Sequence, residues 1–158
     1  MSIKIRKAER ADAPLIFDFI YGLAVYEKLE DEMVTSVAEL EENIFDKGFA
    51  EVLIGEYEGA PAGFALFFHN FSTFLGKPGI FLEDLFVKPE FRGKGVGKML
   101  ITAVGELAVE RNCGRFEWFC LDWNQPSIEF YESLGARPQK EWVPFRLSGR
   151  ALEQMGKV

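Results

Sequence analysis

The sequence predicts an α/β (α+β) fold: one domain over residues 1–158, with a mixed, mostly antiparallel sheet flanked by helices. Three observations lead there. Short β-branched and aromatic runs alternate with segments of helical periodicity in the order β-α-α-β-β-β-α-β-α-β, the pattern of helices covering a mixed sheet. A chain of 158 residues with 48% hydrophobic content fills one core and would be cramped as two. No repeat, linker or low-complexity tract interrupts it.

Each element has a local reason. Ile3 and Ile5 alternate with Lys4 and Arg6 as a first strand. Asp12 and Pro14 then open a helix in which Leu15, Phe19, Leu23 and Tyr26 recur at helical spacing. Ser36 and Glu39 have the spacing of a capping box for a second helix, which carries Val37, Leu40 and Ile44 and ends near Gly48. Residues 51–70 read as two strands of a hairpin joined at Glu58-Gly59-Ala60-Pro61, and 80–87 (IFLEDLFV) as the next strand. Val96, Leu100, Ala103, Val104, Leu107 and Ala108 repeat at a period near 3.6 until Asn112 and Gly114 supply a stop. The stretch 115–121 (RFEWFCL) returns to strand, Pro126 opens a short helix that Gly135 ends, 141–147 (EWVPFRL) reads as a last strand, and 149–156 as a tail helix.

Charge and cysteine usage exclude several classes of function. With 18 Lys+Arg against 25 Asp+Glu the formal charge is −7, which argues against a nucleic-acid binder and suits a cationic ligand or plain solubility. Cys113 and Cys120 lack CxxC spacing and a histidine cluster, so neither a disulfide framework nor a metal site is expected. No apolar run approaches a membrane span, and the N-terminal residues lack the apolar core of a leader. A cytoplasmic protein without a membrane partner is the expectation.

The run Arg92-Gly93-Lys94-Gly95-Val96-Gly97, followed by Lys98, lies at a strand-to-helix junction. The first amides of a helix have no carbonyl partners, and the dipole makes that end positive. Glycines let an anion approach the backbone, and two cations add charge, so a pyrophosphate fits on the amides after Arg92. A turn that needs φ > 0 is the competing account. A P-loop fails because Met99 follows Lys98, and a dinucleotide fingerprint fails because position 98 is lysine.

Arg92-x-x-Gly95-x-Gly97 after a strand, with Asn124, Phe130-Tyr131 and Gly135-Ala136 downstream, resembles the GNAT acetyltransferase superfamily. Together with LEDLFV and WNQPSIEFYESLGA it is similar to the diamine (spermidine/spermine) N-acetyltransferase branch and its thialysine-acetylating relatives. The resemblance spans about residues 80–137. It implies a GNAT-like domain with splayed strands at the acetyl-CoA site, acetyl-CoA as co-substrate, and a homodimer. It also implies that Arg92, Gly93, Lys94, Gly95, Val96, Gly97 and Lys98 hold the pyrophosphate, and that Leu85, Phe86 and Val87 offer backbone groups to the pantetheine arm. Asn124 either caps its helix or contacts the cofactor.

Tyr131 carries a phenol able to protonate a departing thiolate, a role the resemblance implies; packing with Phe130 is the alternative. Glu83 and Asp84 are adjacent carboxylates in an apolar strand and leave by opposite faces, so at least one enters the interior, as base, amine anchor or salt-bridged residue. The resemblance selects Glu83 as the base. Glu27, Glu30, Asp31 and Glu32 follow the first helix and offer negative charge to an amine, although such runs are usually a solvated face. His69, the only histidine, reads as structural. The expected activity is direct acetyl transfer to a primary amine of a small cationic substrate, a polyamine, diamine or lysine-like amino acid. Protein-lysine acetylation and a non-catalytic acyl-CoA-binding regulatory module are the alternatives.

Overall fold

The computed structural model describes residues 2–157, which pack as two compact units divided between Phe119 and Cys120. The first unit is built on a five-stranded sheet: β1 (Ile3–Lys7), β2 (Glu51–Tyr57), β3 (Ala60–Ser72), β4 (Lys77–Val87) and β5 (Arg115–Trp118), in that spatial order. The first four strands are antiparallel neighbours, and β5 joins β4 in parallel. Parallel entry requires a crossover, which α3 (Val96–Glu110) provides. The mixed, mostly antiparallel sheet flanked by helices is therefore the architecture observed.

Helix α1 (Ala13–Glu27) starts where expected, with Pro14 in its first turn, where a missing N–H removes no helical bond. It buries Ile16 and Phe19 against one face of the sheet, where Val52, Ile54, Phe64 and Phe86 point. Phe19 stacks on Phe64 with centroids 5.4 Å apart. Complete burial of a ring this size stabilises by about 2–3 kcal/mol, so Phe19 anchors α1. On the opposite face α3 buries Val96, Leu100, Ile101 and Val104. It approaches β2 closely: a Cβ on Gly55 would lie 2.9 Å from Val96 Cγ1.

Several boundaries differ from the sequence reading, each for a physical reason. Helix α2 (Val37–Leu40) is capped by the Ser36 side chain, which accepts from the Glu39 amide at 3.2 Å, but after one turn it widens into a π-helical turn over Glu41–Asp46. The β2–β3 turn is Glu58-Gly59 alone, with φ of 51° and 82°, the two left-handed positions that a tight hairpin needs; Ala60 and Pro61 already belong to β3. Strand β5 is four residues long and ends before Phe119.

The second unit holds α4 (Gln125–Ser133) and α5 (Gly149–Met155). The expected last strand, 141–147, is a correction: its residues are exposed and pair with no strand among the described residues. Its apolar and aromatic residues suit a strand, but a strand forms only against a partner edge, and Pro144 lacks an N–H for a ladder. Phe145 is 96% exposed and Trp142 75%.

Candidate active site

A bulge in β4 sets the geometry. Leu66 of β3 is opposite Asp84, whereas the next residue, Phe67, is opposite Leu82, so Glu83 is the extra residue of the ladder. Beyond it β4 continues for Asp84–Val87, paired only with β3; its pairing with β5 stops at Leu82 and Trp118. The outer edge of Leu85, Phe86 and Val87 thus has no strand partner among the described residues. Their side chains do ordinary packing work: Phe86 is buried near Phe19 and Val87 touches α3.

Asp84 lines a cleft of about 360 Å³ together with Ile20, Leu23, Ala24 and Glu27 of α1 and Leu29, Glu32, Met33, Val34 and Thr35 of the loop that follows. The wall is mainly apolar, and its carboxylates respond accordingly. Burial first, then the neighbouring charges of Glu83 and Glu27, push the Asp84 carboxyl up to about 7. Burial and then Glu83 also raise the Glu27 carboxyl above the usual range. Three carboxylates crowded in this way favour a proton or a cation between them. Glu83 is exposed at the bulge, and Glu30 and Asp31 are exposed and do not line the cleft. Ile20, Leu23, Ala24 and Glu27 follow i, i+3, i+4, i+7 spacing, the signal that joins Glu27 to the helix's apolar stripe.

The glycine run takes the expected conformation in part. Gly93 has φ 77° with open space where a Cβ would be, and Gly95 has φ 92° as the N-cap of α3. Gly97 has no such φ, and a Cβ there would meet Val87 Cγ2 at an ordinary 3.5 Å. Val96, Gly97 and Lys98 form the first turn, whose amides have no helical carbonyl to bond. Val96 is buried against the sheet, so only its amide can serve a ligand. Lys94 Nζ lies 5.2 Å from the Tyr57 ring, and Lys98 lines a groove beside β1. Arg92 is exposed, and its Nε donates to the Val87 carbonyl at 2.9 Å.

In the second unit Asn124 is buried and its Oδ1 accepts from the Ser127 amide at 3.3 Å, the capping role. Tyr131 is half-buried on α4 with its ring centroid 5.6 Å from that of Phe130. His69 is held structurally: Nδ1 donates to the Gly79 carbonyl at 2.9 Å, which leaves Nε2 to accept from Arg111 at 2.9 Å.

The profile described as "Acetyltransferase (GNAT) family" matches residues 17–136. Thialysine N-epsilon-acetyltransferase of Sus scrofa is 36% identical over 98% of this chain and 97% of its own length. L-ornithine N5-acetyltransferase of Arabidopsis thaliana is 32% identical over 100% of this chain and 90% of its own. An integron cassette protein from the mobile metagenome of V. cholerae superposes with a TM-score of 0.83 at 26% identity, covering 100% of this chain and 99% of the other.

Proposed function

Since the chain belongs to the acetyltransferase (GNAT) family and is an N-acetyltransferase, we propose that it carries acetyl from acetyl-CoA to a primary amine of a small cationic substrate: a polyamine, a diamine or a lysine-like amino acid. One observation carries the reading, the mainly apolar cleft whose acidic residues are Glu27, Glu32 and Asp84. An ammonium group relieves the repulsion among these carboxylates and is held by them, while the methylene chain of the substrate contacts Leu23, Leu29 and Met33. The names of the thialysine and ornithine enzymes point to the same class of acceptor.

Acetyl-CoA supplies the activated thioester. The residues present fit it: the amides of Gly93, Lys94, Gly95, Val96, Gly97 and Lys98 for the pyrophosphate, with room at Gly93, and for the pantetheine arm the strand-free edge of Leu85, Phe86 and Val87, where the Val87 carbonyl also accepts from Arg92. Glu83, in contact with solvent at the bulge, takes the proton that the amine releases, relayed by water. Tyr131 gives its phenolic proton to the departing sulfur, and Asn124 fixes the start of the helix that carries it. Glu30 and Asp31 act from outside the cleft by attracting the cation. An acidic cleft also holds the amine protonated, so turnover rises toward alkaline pH.

The working form in this reading is a cytoplasmic homodimer. Support for the second copy comes from the exposed Trp142, Val143, Phe145 and Leu147. Light scattering of Phe145→Glu checks it: a monomer is expected, and a monomeric parent protein would rule the dimer out.

Release of free thiol from acetyl-CoA, measured over a monoamine, a diamine, a polyamine, free lysine and a lysine peptide, tests the acceptor class. The dications and free lysine should be preferred, with a KM that rises with salt. Preference for the lysine peptide would assign protein acetylation, and binding of acetyl-CoA without turnover of any amine would assign a regulatory module.

A further inference from the structure

Arg92 opens the glycine run, and the simplest assignment gives its charge to a phosphate. Its contacts point elsewhere. Nε donates to the Val87 carbonyl at 2.9 Å, at the end of β4. The guanidinium carbon lies 5.0 Å from the centre of the Tyr26 ring and 5.6 Å from that of Phe86. One side chain therefore joins the loop before α3, the end of β4 and the last turn of α1. Tyr26 immediately precedes Glu27, the cleft carboxylate. Helix α1 has no basic residue of its own in its last turn, where its carbonyls make the end negative. The C-cap of that helix is Lys28, and Arg92 reaches the same turn through the Tyr26 ring rather than through its carbonyls.

The chemistry demands arginine. A planar guanidinium can stack its face on aromatic rings while donating from its edge, whereas a lysine ammonium is a compact point charge that does one or the other. The backing is rigid: Phe86 is buried, and a Cβ on Gly22 of α1 would lie only 2.7 Å from its ring. The place where α1 crosses β4 is thus fixed by close packing, and Arg92 closes it on the side of the glycine loop.

We propose that Arg92 is a positioning residue for the amine cleft: through Tyr26 it sets the place of Glu27, and it does so without being a phosphate ligand. This rests on the acceptor site proposed above.

The test compares the parent protein with Arg92→Lys, Arg92→Gln, Tyr26→Leu and the double variant Arg92→Gln/Tyr26→Leu. Acetyl-CoA affinity is measured by calorimetry without amine, amine KM and kcat at saturating acetyl-CoA, and melting temperature for all five. Expected are an amine KM raised about tenfold in each single variant, kcat within about threefold, and acetyl-CoA Kd within about twofold. Lysine should fail to rescue KM although it keeps the charge. The double variant should be no worse than the worse single, in KM and in melting temperature, because both changes break one contact.

An acetyl-CoA Kd weakened about tenfold or more with amine KM unchanged would make Arg92 a phosphate ligand and overturn the proposal. Additive effects of Arg92 and Tyr26 would overturn it equally. If the parent protein acetylates no small amine, the acceptor reading fails on its own. The affinity measurement and the thermal cycle then still decide whether Arg92 serves the phosphate or Tyr26.

Discussion

Asp84→Asn keeps the shape of the side chain and removes its ionisation. In the folded protein burial, with Glu83 and Glu27 nearby, lifts this carboxyl to about 7 from an ordinary 3.8. Between those pH values the folded chain keeps a proton that the unfolded chain has released. Stability therefore falls as pH rises through this window and levels off above it. At about 1.4 kcal/mol per tenfold change in proton affinity, a group wholly removed from water would lose on the order of 4 kcal/mol. Asp84 is half-buried and opens on the cleft, so about 2–3 kcal/mol is expected. In a chain of this length that is roughly 5–10 °C in Tm.

Urea unfolding of both proteins from about pH 2.5 to about pH 8 measures it. The variant should gain on the parent protein as pH rises and end the more stable of the two. Parallel curves would refute the argument. The Arg6–Asp12 pair is an internal control of opposite sign: hydrogen bonding to Arg6 holds the Asp12 carboxyl below its ordinary range, so its contribution is lost only as pH falls below the carboxylate range. Both proteins should share that acid limb. The same substitution should raise amine KM, and it should abolish the proton that a bound dication displaces from Asp84 near neutral pH, seen by calorimetry in two buffers.

Gly97→Ala should weaken acetyl-CoA binding while leaving thermal stability intact, since the backbone there accepts a side chain and the added methyl stands among the first-turn amides; unchanged affinity would remove the pyrophosphate from this turn. Gly95→Val, at φ 92°, should cost stability as well, by about 1–2 kcal/mol in urea unfolding. Tyr131→Phe should lower kcat about 10²-fold with little change in acetyl-CoA affinity, and a parental rate would leave the phenol a packing group. Glu83→Gln should move the alkaline rise of kcat without a matching loss of amine affinity; an unmoved pH profile would deny it the proton.

Much of the fold was legible because its signals are local. The start of α1 at Asp12 and Pro14, the cap at Ser36, the left-handed glycines and the 3.6-residue repeat of α3 all act within a few residues. The conformation of the glycine run was legible for the same reason: the positive φ of Gly93 and Gly95 is settled within the turn that starts α3. What escaped the sequence depends on distant partners. The apolar and aromatic content of 141–147 suggests a strand but cannot say whether an edge will meet it. Nothing within Arg92-x-x-Gly95 announces that the arginine turns back to Tyr26, sixty-six positions earlier in the chain.

The two carboxylates of β4 show how one inserted residue redistributes chemistry. Strict alternation assigns Glu83 and Asp84 to opposite faces but does not say which one enters, because either phase is compatible with the apolar neighbours Leu82 and Leu85. The register decides it. With Glu83 unpaired at the bulge, the ladder resumes at Asp84, which faces the cleft with Glu27, while Glu83 stays exposed and close enough to raise both of its neighbours. A carboxylate in water is a poor anchor but a good exit for a proton; a half-buried one is the reverse. The bulge thus separates two environments that the dipeptide alone leaves merged. A residue inserted or deleted next to Glu83 should therefore exchange their environments and abolish turnover, even where the sheet still forms.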